Sequence, residues 1–236
     1  MPRDGAATRE RILDSAQRLV LQRGFAGTSV DAVLAAASVT KGGFFHHFPS
    51  KQALGLALVE RYAAFDVQAL EDFMATAETE SDDAAQQLIA FVRLFEEGAA
   101  ELTAMQPGCM FVSFIYEREL TAPGTEEIIA ATIRAWRERV LGKLEQAAQA
   151  HPPVLDVDLP SLADSIFTTF EGGFVLARAM DEPDHLRRQL AHVRHYLELL
   201  FQAAPVALRS AQTRRPRAGV DGAATSAAAP YGPEDV

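Results

Sequence analysis

Residues 40–51 combine side chains and backbone that could bind a polyanion. Two lysines, Lys41 and Lys51, enclose two glycines, three phenylalanines and two histidines in the order KGGFFHHFPSK. Lysine can contact a phosphate as a point charge, and glycine lets the backbone come close to a phosphate or a base edge because it has no Cβ. Consecutive glycines are unfavourable inside a buried helix, so we interpret the segment as an exposed recognition element.

Two helices are expected ahead of this segment to support it. Apolar residues recur at helical spacing after Thr8 and stop at Gly24, which predicts the first helix. The sequence from Thr28 to Asp31 has the form of a capping box, in which the Thr28 hydroxyl would accept a hydrogen bond from the Asp31 amide. A second, short helix is therefore expected at about residues 28–36.

The segment itself is expected to form the third helix. Thr40 can cap it, and Pro49 prevents it from continuing beyond about Phe48. Two short helices joined by about three residues have the length and spacing of a helix-turn-helix. Phe44 and Phe48 lie four positions apart and can pack inward. The residues left for the outer surface are Phe45, His46 and His47.

The rest of the chain is helical in periodicity and shows no alternating strand pattern, so the expected fold is all-α. Ser50 can cap a long helix that reaches about Met74. Further helices are expected at about residues 84–104, 109–120, 125–150, 160–181 and 184–203. The expected organisation is a helix-turn-helix domain, a helical effector-binding and dimerisation domain, and a disordered tail without apolar periodicity, at residues 1–50, 51–204 and 205–236 respectively.

Charge is distributed unevenly along the chain. The formal net charge is -10, whereas residues 1–51 hold seven basic and four acidic side chains, a net of +3. A basic N-terminal segment in an otherwise acidic chain favours an N-terminal region that binds anions. No apolar run is long enough to span a membrane, and no apolar signal core follows Met1. Because the single cysteine also excludes an intramolecular disulfide framework, we expect a cytoplasmic protein.

The residues from Thr28 to Asp31, followed by AASVTKGGFFHHFPSK at 36–51, resemble in order and spacing the signature of the TetR family of bacterial transcriptional regulators. The strong resemblance covers about residues 8–62, and a looser one in helix count and composition extends to about residue 203. It implies an N-terminal three-helix DNA-binding domain, a larger ligand-binding domain, and a homodimer whose two recognition helices read a palindromic operator in double-stranded DNA.

The resemblance also implies which residues contact DNA. Positions that match DNA contacts of the family are Thr40, Lys41, Gly43, Phe45 and His46. Positions that match contacts to the DNA backbone are Thr28 and Lys51, and the expected surface also includes Gly42 and His47 of the recognition helix. The sequence departs from the usual family pattern at Leu34, Ser38, Gly43 and Phe45. Two of these departures remove polar contacts to DNA, so the family's base preferences cannot be transferred.

Two groups in the sequence allow alternative interpretations. His46 and His47 could bind a metal, but adjacent helical residues diverge by about 100° and no third ligand is near, so neither a metal nor a cofactor is expected. Cys109 follows Pro107-Gly108 and could act at a helix N-terminus as a redox or electrophile sensor. Its apolar neighbours favour a position in the core instead.

An effector pocket is expected in the larger domain. Aromatic residues at helical spacing mostly form core, so only a minority of them should face a cavity. Glu171 could select a ligand with a donor or a positive charge, or could belong to a dimer interface. Gly172-Gly173 would let helices approach closely, which favours a four-helix dimer interface built from the last two helices. The candidate pocket residues are Phe91, Phe95, Cys109, Phe111, Phe114, Trp136, Phe167, Phe170, Glu171 and Phe174.

Three functions are open at this point. The first is a dimeric regulator, in particular a repressor, that a small and largely apolar effector releases from DNA. The second is a regulator without such an effector, controlled by a protein partner or through the Cys109 thiol. The third is an all-helical enzyme or carrier. It is disfavoured because the sequence contains no GxSxG, HExxH, phosphate-loop or GxGxxG motif, so no enzymatic activity is expected.

Overall fold

The computed structural model of the chain describes residues 5–105 and 108–202. These residues contain α-helices and one 3-10 turn but no strand, which confirms the all-α prediction. The expected tail at 205–236 and the break at Pro107 lie outside the described residues. The helices are α1 (Gly5–Arg23), α2 (Val30–Ala37), α3 (Lys41–His47), α4 (Lys51–Glu80), α5 (Ala84–Met105), α6 (Met110–Tyr116), α7 (Thr125–Ala150), α8 (Leu159–Met180) and α9 (His185–Leu200).

Helix α2 begins at Val30, and its N-cap lies one residue after the predicted cap. Ser29 is the N-cap, and its hydroxyl accepts a hydrogen bond from the Ala32 amide at 3.1 Å. Thr28 is buried, and its hydroxyl donates to the Gly24 carbonyl at 2.8 Å. The predicted Thr28 cap is therefore wrong, because that side chain closes the end of α1 instead of opening α2.

Helix α4 is longer than its sequence pattern suggested. It ends at Glu80, six residues beyond the predicted end near Met74. The extension is stable because Ala77 is fully buried, and Ser81 then ends the helix in an extended conformation. Phe65 is 54% exposed, although its helical spacing from Leu58 and Tyr62 predicts a place on the apolar face of α4.

Two buried clusters of apolar side chains meet along α4. The first joins α1, α2, α3, the first half of α4 and α6, and the second joins the end of α4 with α5, α7, α8 and α9. Phe111 and Phe114 of α6 are buried in the first cluster. The helix-turn-helix region and the larger helical region therefore share apolar core, and they belong to one compact unit.

The segment after α6 also departs from the prediction of one helix at 109–120. Helix α6 ends at Tyr116, and a 3-10 turn follows at Arg118–Leu120. The Glu117 amide then bonds to Ser113, and Gly124 has the left-handed conformation (φ 91°) ahead of α7. Within the described ranges, no helix has the length and apolar character needed to cross a membrane.

Gly55 provides a test of the junction between the helix-turn-helix region and α6. A Cβ added there would lie 2.7 Å from Phe25 and 3.3 Å from Phe114. Both rings are almost fully buried, so we expect Gly55→Ala to destabilise the protein by about 1–3 kcal/mol. The control is Gly142→Ala in α7, where a Cβ meets nothing and helix propensity should stabilise by up to about 1 kcal/mol. Chemical unfolding measures both, and equal effects would contradict the close packing at Phe25.

Candidate DNA-binding surface and effector cavity

The turn between α2 and α3 determines the direction of α3. Ser38 has the left-handed conformation (φ 53°, ψ 46°), and its amide points to the carbonyls of Ala35 and Leu34. This conformation favours glycine, so the serine stands at a position where a side chain is strained. Thr40 then caps α3 as predicted, since its hydroxyl accepts from the Gly43 amide at 3.1 Å.

The phenylalanines of α3 separate the buried face from the exposed face. Phe44 and Phe48 are buried, as predicted from their spacing, and their ring centroids lie 5.9 Å apart. Phe45 is 42% exposed and its ring meets Phe44 edge-on. Lys41 and His46 are also exposed. The buried rings thus anchor a short helix whose other face carries basic and aromatic side chains.

The glycines at the start of α3 leave its backbone accessible. A Cβ at Gly42 would meet no atom within 4 Å, and one at Gly43 would meet only Thr40. The beginning of α1, the turn and α3 together enclose an open groove of about 720 Å³. An open groove of this kind suits a macromolecule better than a small ligand. Its lining is Gly5, Thr8, Arg11, Ala36, Ala37, Ser38, Val39, Thr40, Gly43, His46 and His47.

Two of the expected DNA contacts are engaged inside the protein. The Thr28 side chain is 3% exposed and bonds to Gly24. The Lys51 ammonium donates to the Ala26 carbonyl at 3.3 Å and lies 4.6 Å from the centroid of the Phe25 ring. Burial lowers the pKa of Lys51, an effect that the nearby Glu117 carboxylate opposes. Both side chains therefore stabilise the end of α1 and the start of α4.

The larger helical region contains an apolar cavity of about 120 Å³. Eight of the ten predicted pocket residues line it, from four separate parts of the chain: Phe95, Cys109, Phe111, Trp136, Phe167, Phe170, Glu171 and Phe174. Several of the rings also contact one another, with Phe95 and Phe170 at 4.7 Å and Trp136 and Phe167 at 6.0 Å between centroids. The wall is therefore mostly aromatic.

The other two predicted pocket residues do not line this cavity. Phe91 is fully buried in core, 5.1 Å from the Phe95 centroid, and Phe114 packs against Phe25 at 4.8 Å. A helical stripe of aromatic residues does not by itself show which rings face core and which face a void.

Sequence reasoning missed the contribution of α4 and part of that of α5. The missed lining residues are Tyr62, Phe65, Asp66, Ala69, Phe73 and Leu102. Asp66 was the available signal, because it lies four positions from both Tyr62 and Leu70 and so places an acid beside the apolar face of α4.

Two carboxyl groups lie in the aromatic wall. Asp66 accepts a hydrogen bond from the Trp136 indole at 2.6 Å, and burial raises its pKa to about 6. Burial raises the pKa of Glu171 to about 7, although a hydrogen bond from Cys109 works in the opposite direction. Glu171 Oε2 is buried and has no hydrogen-bond partner among the described residues. One oxygen of a residue that lines the cavity is therefore buried without a hydrogen-bond donor.

The Cys109 thiol is poorly suited to the sensor role considered above. Burial and the adjacent Glu171 carboxylate raise the pKa of this thiol well above its usual range. Cys109 is the N-cap of α6, yet its side chain makes no capping hydrogen bond. A thiolate is the reactive form of cysteine, and here it is scarcely populated at neutral pH.

A second, more open cavity of about 410 Å³ shares a wall with the first. Cys109, Glu171 and Phe174 line both cavities, and Leu21 and Arg178 line only the second of these two. The Arg178 guanidinium donates to the carbonyls of Leu21 at 3.0 Å and Gln22 at 2.8 Å. Helix α8 therefore contacts both the aromatic cavity and the end of α1.

Two further polar contacts hold the end of α1. The Ala26 amide donates to the Glu117 carboxylate, and the Ala26 carbonyl accepts from Lys51. The backbone at Ala26 is thus bonded to α4 and to the segment after α6. Nowhere in the described ranges do three or more His, Cys, Asp or Glu side chains form a group that could hold a metal ion.

Comparison with known proteins identifies relatives over most of the chain. Residues 12–58 match the family model of bacterial regulatory proteins of the tetR family, and residues 84–193 match a tetracyclin repressor-like C-terminal domain. The transcriptional regulator AcuR of Cereibacter sphaeroides is 25% identical over 183 residues, which cover 78% of this chain and 82% of AcuR. The transcriptional repressor NemR of Escherichia coli is 42% identical over 71 residues, 30% of this chain and 36% of NemR.

A solved crystal structure shares the fold of this chain over most of its length. The crystal structure of a TetR transcriptional regulator from Chloroflexus aurantiacus is 28% identical and has a TM-score of 0.68, covering 83% of this chain and 96% of that one. The relatives are transcriptional regulators, and proteins of this kind are not enzymes. The two family models together span more than half of the chain. The chain therefore belongs to the TetR family and is a DNA-binding transcriptional regulator.

Proposed function

We propose that this regulator is a homodimeric repressor that a small-molecule effector releases from a palindromic operator. The observation that carries the proposal is the course of α8. Glu171 and Phe174 of this helix line the aromatic cavity, and Arg178 bonds to the end of α1. Glu171 and Arg178 lie seven positions apart, so they share one face of the helix. A ligand that displaces this face would also displace the contact to α1.

The proposed DNA contacts come from the exposed face of α3. They are Thr40, Lys41, Gly42, Gly43, Phe45, His46 and His47. Thr28 and Lys51 are left out because their polar groups are bonded within the protein. Lys41 would contact the DNA backbone, whereas the exposed glycine backbone would allow α3 to enter the major groove closely.

The proposed dimer forms through α8 and α9. An exposed strip of α8 carries Gly172, Val175, Leu176 and Ala179, which recur at helical spacing, and a Cβ at Gly172 would meet only open space. Val175 is 57% exposed, and Leu199 of α9 is 73% exposed. Gly173 has a different role, because it lets α8 approach Leu186 of α9 in the same chain. An exposed apolar strip of this kind favours a second copy of the helix pair.

The proposed mechanism is a shift between two arrangements of the dimer. Two recognition helices must lie about 34–36 Å apart to enter successive major grooves. An effector that binds the other arrangement more tightly moves α8 and, through Arg178, the end of α1. Linkage then requires that operator DNA weaken effector binding by the same factor. Control through the Cys109 thiol is the weaker candidate, since its raised pKa disfavours the thiolate.

Lys41→Ala tests the DNA surface. A duplex is first selected from a random-sequence pool by the full-length protein. Removing one phosphate contact per subunit should weaken binding to this duplex at least about tenfold and reduce the steepness of its salt dependence. Arg134→Ala is the control, because it removes the same charge from an exposed position on α7. If both variants lose affinity equally, α3 is not the recognition helix.

Leu176→Glu tests the dimer. A carboxylate in the proposed apolar interface should convert the dimer to monomers and lower operator affinity, because desolvating an unpaired charge is costly. Sedimentation velocity measures the assembly state, and circular dichroism checks that the helices persist. Leu120→Glu changes a similarly exposed leucine outside α8 and α9 and should remain dimeric. A dimeric Leu176→Glu protein would place the interface elsewhere.

A further inference from the structure

The aromatic cavity has an unusual combination of apolar walls and acidic groups. Rings surround it from α4, α5, α6, α7 and α8. The ionisable side chains among the described residues that line it are Tyr62, Asp66, Cys109 and Glu171. None of the described residues that line it is a lysine, arginine or histidine. A negatively charged ligand would therefore enter without a counter-charge, whereas a cation would meet two carboxyl groups.

One oxygen of the Glu171 carboxyl lacks a hydrogen-bond partner among the described residues, although the carboxyl accepts a hydrogen bond from Cys109. Its Oε2 atom is buried without a hydrogen bond, whereas the Asp66 carboxylate already accepts from Trp136. A buried carboxylate oxygen without a donor costs free energy, and a ligand N–H group would remove that cost. The surrounding rings can also attract a cation through their faces.

The size of the cavity limits the apolar part of the ligand. Its volume is about 120 Å³, and a protein cavity of about 150 Å³ is known to hold benzene. One ring-sized group therefore fills it. Glu171 stands at the wall shared with the more open cavity, so a charged group next to the ring would reach this carboxylate.

We propose that the effector is a small organic cation, namely an amine with one ring-sized apolar group, whose ammonium pairs with Glu171 while the aromatic wall holds the ring. This inference rests on the proposed function for its regulatory meaning and on the cavity for its chemistry. Asp66 adds a second negative charge at longer range, held in place by Trp136. Uncharged molecules of the same shape lack the interaction with Glu171.

Ligand binding should depend on pH because Glu171 must be ionised. The ionisable groups that face it are Tyr62 and Asp66 on α4 and Cys109 ahead of α6, and Arg178 lies two turns along α8. In the free protein the pKa of Glu171 is about 7 and that of Asp66 about 6. A bound cation stabilises the ionised forms. Affinity should therefore rise with pH to about 7 and then level off, while the amine stays protonated as a lysine does.

Calorimetric titration with three probes of one shape tests the ligand class. Benzylamine carries the positive charge, benzyl alcohol carries none, and benzoate carries the opposite charge. We expect benzylamine to bind at least about tenfold more tightly than benzyl alcohol, and benzoate to bind least. Trp136 is the single tryptophan and lies in the cavity wall, so its fluorescence reports where the probe binds. Equal binding of amine and alcohol, tighter binding of benzoate, or no binding of the amine overturns the proposal.

Glu171→Gln tests the residue. The variant should lose the preference for benzylamine over benzyl alcohol and the dependence on pH, while binding of the alcohol stays within about twofold. Glu127→Gln, at an exposed position on α7, should behave as the wild type. A Glu171→Gln protein that keeps the preference for the amine overturns the assignment. Benzylamine affinity measured over a pH series on the wild type tests the role of Glu171 without any variant. An affinity that does not change with pH also contradicts the assignment.

Stability gives an independent measure of the Glu171 charge. In the unfolded chain its carboxyl has the ordinary pKa of 4.5, whereas in the fold the pKa is about 7. The folded protein therefore binds more protons between these values, and stability falls as pH rises through them. We expect Glu171→Gln to unfold at a higher temperature than the wild type at about pH 8, with a smaller difference at about pH 5. A lower unfolding temperature at both pH values would show that the charge is already compensated without ligand.

Operator binding distinguishes failure of this inference from failure of the proposed function. If benzylamine binds through Glu171 but leaves operator affinity unchanged, the ligand class is supported and the proposed regulation is wrong. If an uncharged aromatic molecule releases the operator and the amine is not preferred, the regulation is supported and the ligand class is wrong. Lowering of benzylamine affinity by operator DNA, by the factor that benzylamine lowers operator affinity, supports both.

Discussion

The packing of Phe25 is the constraint on which the rest of the structure depends. This side chain lies in the loop after α1, and it is enclosed by the backbone of Gly55, the Phe114 ring and the Lys51 ammonium. The adjacent Ala26 backbone is bonded on both sides, to Lys51 and to Glu117. These contacts fix the end of α1 against α4 and α6. Because α1 supports α2 and α3, they also fix the direction of the recognition helix.

Helix α8 adds a second attachment, which joins a helix of the cavity wall to the end of α1. Phe25 and Phe114 form an apolar contact that depends on complementary shape. Arg178, in contrast, makes two directional hydrogen bonds to backbone carbonyls. Hydrogen bonds of this kind are lost over small displacements, while apolar contacts tolerate sliding. In the proposed mechanism, a rigid junction beside a directional contact would let the helix-turn-helix region stay folded while its orientation changes.

The two carboxyl groups of the aromatic cavity reduce the stability of the fold. Two carboxyl groups are removed from water among aromatic rings, and their raised pKa values show that the charged forms are disfavoured there. Apolar residues of the same size would pack with less cost. Elsewhere in the same region, charges are paired at the surface, as Arg139 is with Glu71 and Glu78. The cost at Glu171 is therefore local, and it coincides with the one lining group whose oxygen is unsatisfied.

The sequence by itself determined the elements that depend on near neighbours. Glycine and proline positions ended the helices, Thr40 capped α3, and the spacing of Phe44 and Phe48 identified the buried face of that helix. The sequence-based prediction of the α2 N-cap was wrong by one residue, at Thr28, because Ser29 offers an equivalent hydroxyl. Only the hydrogen bond from Thr28 to Gly24 distinguishes the two residues.

Only the tertiary structure decided which side chains face the cavity. Phe91 and Phe95 lie one helical turn apart on α5, yet the first is fully buried in core and the second lines the wall. Their difference arises from α4, α7 and α8, which are distant in sequence and supply Asp66, Trp136 and Glu171 to the same small space. Helical periodicity indicates which face of a helix is buried. It does not indicate whether the helices packed against that face leave a cavity, because that depends on how several helices pack together.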